Sequence, residues 1–314
     1  MSHQFAVVFP GQGSQMVGML SDVAAQYTEV QQTFEEASMI FGEDLWKISQ
    51  HGPAEQLDKT TYTQPILLAA SVAVWRILAP RMAAKPACMA GHSLGEYTAL
   101  VCAEALPFAD AVALVATRAR AMQAAVLPDV GAMGAIIGLE DVDVKAICEA
   151  VSSTAELVSP ANFNSIGQVV VAGHRAAVLA ALSLAKEKGS KIATLIPVSV
   201  PSHCELMRPA ASQLAAALAG VSFAKTSIPV INNVNVIQYT SAESLCEGLT
   251  KQLYLPVRWV ETIQKMIEMG VTQIIECGPG KVLTGLNKRI DNTLALLSTS
   301  DIKQIEAVLH QVVT

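Results

Sequence analysis

An α/β fold built on a mostly parallel sheet is what this sequence predicts, and three observations carry the prediction. Short unbroken apolar runs, QFAVVF at 4–9 the first of them, end at Pro-Gly or Gly, as strands buried on both faces do. Longer apolar segments with helical character alternate with them, the pattern of a parallel sheet covered by helices. The composition, 52% hydrophobic and only 15% charged over 314 residues, supplies a large aliphatic core and excludes a disordered chain.

Taken in order, the strand at 4–9 turns at Pro10-Gly11, and helices follow at 16–25 and 30–41. Residues 65–78 form a strongly apolar helix with Thr63-Gln64 at its entry. A short strand at 87–90 runs into Gly91, and helices cover 94–106 and 108–126. The middle of the chain changes pattern. A strand at 131–138, a helix at 142–151, two strands at 157–163 and 168–172, a helix at 175–188 closed by Gly189, and a strand at 191–200 follow one another. That β-α-β-β-α-β order is the ferredoxin-like arrangement. It places a small subdomain at 128–199 inside a larger unit made of 1–127 and 200–314. The larger unit resumes with a helix at 204–219, in which Pro209 must lie near the start. Strands at 228–234 and 271–276 enclose a helix at 260–269. After the Gly278-Pro279-Gly280 turn come a helix at 282–289 and a final helix.

Bulk properties narrow the function. A net charge of −6 without any run of like charge argues against nucleic acid as a partner. No basic segment followed by a long apolar stretch opens the chain, so no signal peptide is expected. The longest apolar segment, 66–78, is interrupted by Arg76 and is too short to span a bilayer. Six cysteines, with no C-x-x-C pair and no histidine at ligand spacing, read as reduced thiols of a cytoplasmic protein without a metal site.

The motif Gly91-His92-Ser93-Leu94-Gly95 lies between a short strand and a helix, the setting of a nucleophile elbow. A helix start behind Ser93 favours an oxyanion; the competing reading is an N-cap serine. Among six histidines, His203 in Pro201-Ser202-His203 follows the strand ending at 200, and strand ends are where α/β folds gather catalytic groups; an ordinary half-buried histidine is the equal alternative. His92 is adjacent to Ser93, but the turn sends the two side chains apart. No acid stands out as a third member: Glu96, Glu104, Asp110 and Glu156 all lack a strand-end position. Gln12, between Gly11 and Gly13, has a backbone N–H free to approach a ligand, and with the N–H of Leu94 it makes a possible oxyanion hole; a structural turn is the alternative. Arg118 shares the apolar face of its helix with Ala111, Val115 and Met122, whereas Arg120 does not. A buried guanidinium calls for an anion, which it grips as a fork; an internal ion pair would serve as well as a ligand carboxylate.

FPGQGSQ at 9–15, TQP at 63–65, GHSLGEYTAL at 91–100, Arg118-x-x-x-Met122, PVSVPSHCELM, NNV at 232–234, QLYLPVRW and ECGPGKVLTGL occur in order. Together they resemble the bacterial malonyl-CoA:acyl carrier protein transacylases of type II fatty acid synthesis, and more broadly the acyltransferase domains of polyketide synthases. The likeness runs from about residue 5 to about 290 of the 314. It implies an α/β-hydrolase-like core with an inserted ferredoxin-like subdomain. It further implies that Ser93 is the nucleophile, His203 the base, and Gln12 and Leu94 the oxyanion donors. Arg118 would pair with the malonyl carboxylate, with Gln64, Met122 and His92 in the substrate pocket. The backbone carbonyl of Gln252 would orient the histidine, which accounts for the missing acid. Malonyl-CoA is then the substrate, acyl carrier protein the partner, and no cofactor is needed; a monomer is expected. Carrier proteins are acidic, so docking calls for a local basic patch, with Lys281, Lys288 and Arg289 first and Lys186, Lys188 and Lys191 second. A serine thioesterase or esterase, transfer of another acyl group such as methylmalonyl, and a non-catalytic carrier-binding module are the competing readings.

Overall fold

The structure is a computed structural model that describes residues 4–198 and 200–312. His3, and Ser199 within the strand expected at 191–200, lie outside the described residues. Five strands form one parallel sheet: β1 (Gln4–Phe9), β2 (Cys88–Gly91), β7 (Val230–Ile231), β8 (Val271–Glu276) and β9 (Ala295–Ser298), in the order β7-β2-β1-β8-β9. Its two faces explain the unbroken apolar run of β1. Phe5, Val7 and Phe9 pack into a core with the helices Thr60–Leu78 and Phe108–Ala125, while Ala6 and Val8 pack with Trp259, Ile263 and Leu286 on the other side.

The second sheet is antiparallel and contains β3 (Gly131–Ile137), β4 (Val158–Ser165), β5 (Gln168–His174) and β6 (Ile192–Leu195), in the order β4-β5-β3-β6. With helices Asp141–Val151 and Arg175–Glu187 this is the ferredoxin-like arrangement expected. Both helices cover one face, where Ile136, Val169, Val171, Ile147, Val178 and Ala181 pack together. The opposite face, with Met133, Ala161, Val170 and Ala172, turns toward the large unit. Val257 bridges the two, exchanging backbone hydrogen bonds with Ala161 (2.9 Å) and Phe163 (2.9 Å) of β4.

Several elements differ from expectation, each for a local reason. The helix expected at 16–25 shrinks to Ser21–Ala24, because Gly18 and Leu20 both take left-handed φ. The helix expected from Pro65 begins a turn earlier, at Thr60, with Pro65 inside it and Thr63 Oγ1 donating to the Leu57 carbonyl (2.5 Å). The strand expected at 191–200 ends at Leu195; Pro197 offers no N–H to a ladder. That expected at 228–234 is cut to Val230–Ile231, because Asn232 turns the chain by donating to Ile237 O (2.8 Å) and accepting from Asn235 N (2.7 Å). Unanticipated are the helices Leu45–His51 and Ala242–Gln252 and the edge strand β9. The second of these helices starts in a capping box between Ser241 and Ser244.

The stretch Thr60–Arg81 is long and apolar enough to cross a membrane, but most of it is buried inside the protein, where it is a core helix.

Candidate active site

Ser93 sits where β2 turns into the helix Gly95–Cys102, with φ 52°. The serine itself, not a glycine, takes the left-handed backbone that lifts its hydroxyl out of the turn. The motif's glycines serve close approach instead: a Cβ on Gly91 would lie 1.8 Å from the Gly95 carbonyl carbon, and one on Gly95 would lie 2.1 Å from Phe9 O. Asn233 holds the turn. Its Oδ1 accepts the Ser93 N–H (2.8 Å) and its Nδ2 donates to Gly91 O (2.7 Å).

His203 reaches the serine as expected, though not from a strand end. It lies in the irregular segment between β6 and the helix Arg208–Leu218, at φ 62°, its N–H bonded to Leu253 O (3.0 Å). Its Nδ1 lies 2.6 Å from the Gln252 carbonyl and its Nε2 2.8 Å from Ser93 Oγ. A carbonyl only accepts, so Nδ1 carries the proton and Nε2 is left as the acceptor for the serine hydroxyl. Among the described residues, no carboxylate takes part in that alignment.

Arg118 is 1% exposed, and its fork opens on the same hydroxyl. Nη1 donates to Gln64 Oε1 (2.8 Å), while Nη2 donates to Ser93 Oγ (3.1 Å) and to Gln252 Oε1 (3.0 Å). Its Nε meets no acceptor among the described residues, and the guanidinium lies over the Tyr97 ring at 5.6 Å. Gln64 Nε2 reaches Met122 Sδ (3.5 Å), which brings Met122 to the same wall. Arg120 lies exposed beside Thr117. His92 does turn away from Ser93: its Nε2 is 2.8 Å from Asn164 Oδ1 on β4, and its ring leans on Trp259.

These groups line a cavity of about 200 Å³. Gln12, Leu94, Ser93, His203 and Arg118 form its reactive end, and Met133, Asn162, Val170 and Ile196 of the second sheet and its exit form the opposite wall. Among the described residues, neither the Gln12 N–H nor the Leu94 N–H is given to a protein acceptor. Lys281, Lys288 and Arg289 are exposed on the helix Val282–Ile290 and its approach; Val282 and Leu286 of that helix border the cavity, and Arg289 Nη1 donates to Gln168 Oε1 (2.7 Å). Among the described residues, no group of three His, Cys, Asp or Glu side chains could hold a metal ion.

Two residues escaped the sequence reading. Asn233 was part of a matched motif but had no role, since a contact across 140 residues leaves no local signal. Glu96 lacks the strand-end position that marks a triad acid. It is fully buried three positions after Ser93, accepting from Tyr239 Oη, Gln252 Nε2 (2.8 Å) and Asn233 N (3.2 Å). Burial pushes its carboxyl up to about 7, against these donors and the Arg118 charge, which hold it down. An acid in an otherwise apolar helix turn was the available signal.

The acyl transferase domain family matches residues 6–308. The chain is 52% identical over 308 residues to the malonyl CoA-acyl carrier protein transacylase of Salmonella typhimurium, covering 98% of this chain and 99% of the relative. It is 41% identical to the enzyme of that name from Bacillus subtilis, covering 98% and 96%. Among solved structures, the malonyl CoA-acyl carrier protein transacylase of Coxiella burnetii superposes with a TM-score of 0.97 at 48% identity, covering 99% and 98% of the two chains. The malonyl-transacylase solved in complex with its type II PKS acyl-carrier protein superposes with a TM-score of 0.96 at 50% identity, covering 98% and 99%.

The electrostatics of His203 make a testable claim. Burial, then the nearby Arg118 cation, push its pKa down to about 3, against the Gln252 carbonyl, which raises it. A depressed pKa leaves the imidazole neutral, and so able to accept a proton, at pH values where a free histidine is already charged. Labelling of Ser93 by the uncharged reagent phenylmethanesulfonyl fluoride should therefore hold its rate as pH falls through the ordinary histidine range. Its acid limb should move upward in Arg118→Ala. A limb at or above the free-histidine value in the unmutated protein would contradict this geometry.

Proposed function

This chain belongs to the acyl transferase family, and from that premise we propose that it carries malonyl groups from malonyl-CoA to the phosphopantetheine thiol of acyl carrier protein. The carrying observation is that one hydroxyl, Ser93 Oγ, lies between a neutral imidazole nitrogen at 2.8 Å and a buried guanidinium at 3.1 Å. Nucleophile, base and a grip for a free carboxylate thus share one cavity.

In this reading Ser93 Oγ attacks the thioester carbon of malonyl-CoA while His203 Nε2 takes its proton. The oxyanion is received by the N–H groups of Gln12 and Leu94; one such donor is worth about 2.7–4 kcal/mol in related chemistry. The C–S bond breaks, and the proton passes from His203 to the departing CoA sulfur. The carrier thiol then gives its proton to His203 and attacks the malonyl ester. Ser93 leaves and recovers the proton. The Gln252 carbonyl, in place of a carboxylate, steadies the imidazolium formed in each half. Arg118 holds the malonyl carboxylate, with Gln64, Met122 and His92 completing the pocket. Malonyl-CoA enters as substrate, and the scheme calls on no cofactor.

On this reading residues 1–127 and 200–314 form the catalytic core and 128–199 the small unit that roofs it. Lys281, Lys288 and Arg289 receive the acidic carrier protein at the pocket mouth. We also place the chain in the cytoplasm as a monomer feeding fatty acid elongation; six unpaired thiols are in keeping with a reducing compartment. A thioesterase would use the same elbow, but a carboxylate grip beside the nucleophile favours malonyl transfer over hydrolysis of a plain acyl chain.

Brief incubation with malonyl-CoA alone should add one malonyl mass to the intact protein, and Ser93→Ala should abolish the adduct; hydrolysis without an adduct would favour the thioesterase. Arg118→Ala should cut malonyl loading by about two orders of magnitude while acetyl loading falls much less, since a charge-assisted contact contributes about 1.5–3 kcal/mol. Equal losses for the two acyl groups would remove the carboxylate role. Charge reversal at Lys288 and Arg289 together should raise the KM for carrier protein about tenfold; an unchanged KM would move the docking surface elsewhere.

A further inference from the structure

We propose that Glu96, which the scheme above does not use, is a positioning residue for acyl selection: it fixes which end of the Gln252 side-chain amide faces Arg118. This inference rests on the malonyl-transfer reading and deepens it.

An amide has an end that donates and an end that accepts, while a guanidinium only donates and a carboxylate only accepts. Gln252 stands between the two. Its Nε2 donates to Glu96 Oε2 (2.8 Å) and to the Ser93 carbonyl (2.9 Å), which leaves Oε1 as the end presented to Arg118 Nη2 (3.0 Å). Turned the other way, the amide would set its NH2 against the guanidinium and its oxygen against the carboxylate, leaving buried donors and acceptors unpaired on both sides. Gln252 is itself fully buried, so water does not relieve the mismatch. The acceptor-only character of Glu96 therefore propagates through Gln252 to the fork that receives the acyl carboxylate.

The same carboxylate indexes the nucleophile. Glu96 Oε2 also accepts the Asn233 N–H (3.2 Å), and the Asn233 side chain holds the Ser93 N–H (2.8 Å) and the Gly91 carbonyl (2.7 Å). Tyr239 occupies the other carboxylate oxygen. One buried anion thus sets both the elbow that carries the hydroxyl and the orientation of the cation beside it. Its charge also offsets part of the cost of burying Arg118. Neither effect requires Glu96 to touch substrate.

The experiment compares malonyl-CoA with acetyl-CoA loading of Ser93 at mildly alkaline pH in the unmutated chain, Glu96→Gln and Glu96→Asp, with the thermal unfolding midpoint of each recorded. Glu96→Gln replaces an acceptor-only group by one that accepts either end of the Gln252 amide. The malonyl-over-acetyl preference should fall about tenfold, mainly through a higher KM for malonyl-CoA. Glu96→Asp keeps the acceptor-only charge; its rate should fall for both acyl groups while the preference stays. A folded Glu96→Gln protein with the original preference would overturn the proposal, as would loss of preference in Glu96→Asp. The Asp variant alone decides the matter if the Gln variant does not fold. Absence of any malonyl adduct in the unmutated chain would instead fail the transfer reading and this inference with it.

Discussion

A guanidinium taken out of water is the constraint around which the centre of this protein is arranged. Arg118 is 1% exposed, and its helix gives it Ala111, Val115 and Met122 for neighbours on the same face. Burying a charge costs several kcal/mol unless acceptors replace the lost water. The acceptors come from far along the chain: Gln64 from the helix before the elbow, Ser93 from the elbow itself and Gln252 from the end of a helix 134 residues away. None is a carboxylate. A directly paired acid would neutralise the cation and leave it nothing to offer a ligand, whereas neutral oxygens hold it in place with its charge intact.

Gln252 connects this arrangement to the proton-transfer pair. Its side chain binds Arg118 and its main-chain carbonyl binds His203, so one residue fixes both the cation and the base. The His203 imidazole consequently sits near a positive charge, with a neutral dipole behind it where many hydrolases have an acid. A carbonyl steadies an imidazolium less than a carboxylate does, and burial together with Arg118 keeps the resting ring unprotonated.

How much of this was legible in the sequence depended on whether the relevant physics is local. Strand β1, the ferredoxin-like order of the middle segment and the apolar face that carries Arg118 are written in short-range periodicity, and all three are found in the structure. The boundaries near Gly18, Pro197 and Asn232 depart from the hydropathy pattern because backbone conformation, a missing N–H and local side-chain hydrogen bonds end those elements. His203 was selected for a strand end that does not exist; a hydrogen bond from its backbone to Leu253, fifty residues on, is what places it. The G-x-S-x-G pattern marks the elbow but not which residue bears its conformation: the left-handed residue is Ser93, and the glycines admit neighbouring backbone. Glu96 and Asn233 were not assigned because a buried polar residue shows its purpose only when its partners are in space.

The second sheet lends a face to the cavity without lending an atom to the chemistry. Its helices cover one side, and Met133 and Val170 on the other look across at Ser93 and His203, which belong to the larger unit. Part of the cavity's shape is therefore encoded apart from its reactivity, while the Arg118 fork stays beside the nucleophile. Changes in the size of those apolar side chains reshape the space above the hydroxyl while the 2.8 Å serine–histidine contact stays anchored elsewhere. A lineage can thus retune the room left for an acyl group by drifting in a four-stranded lobe, with no intermediate that has lost its nucleophile or its guanidinium.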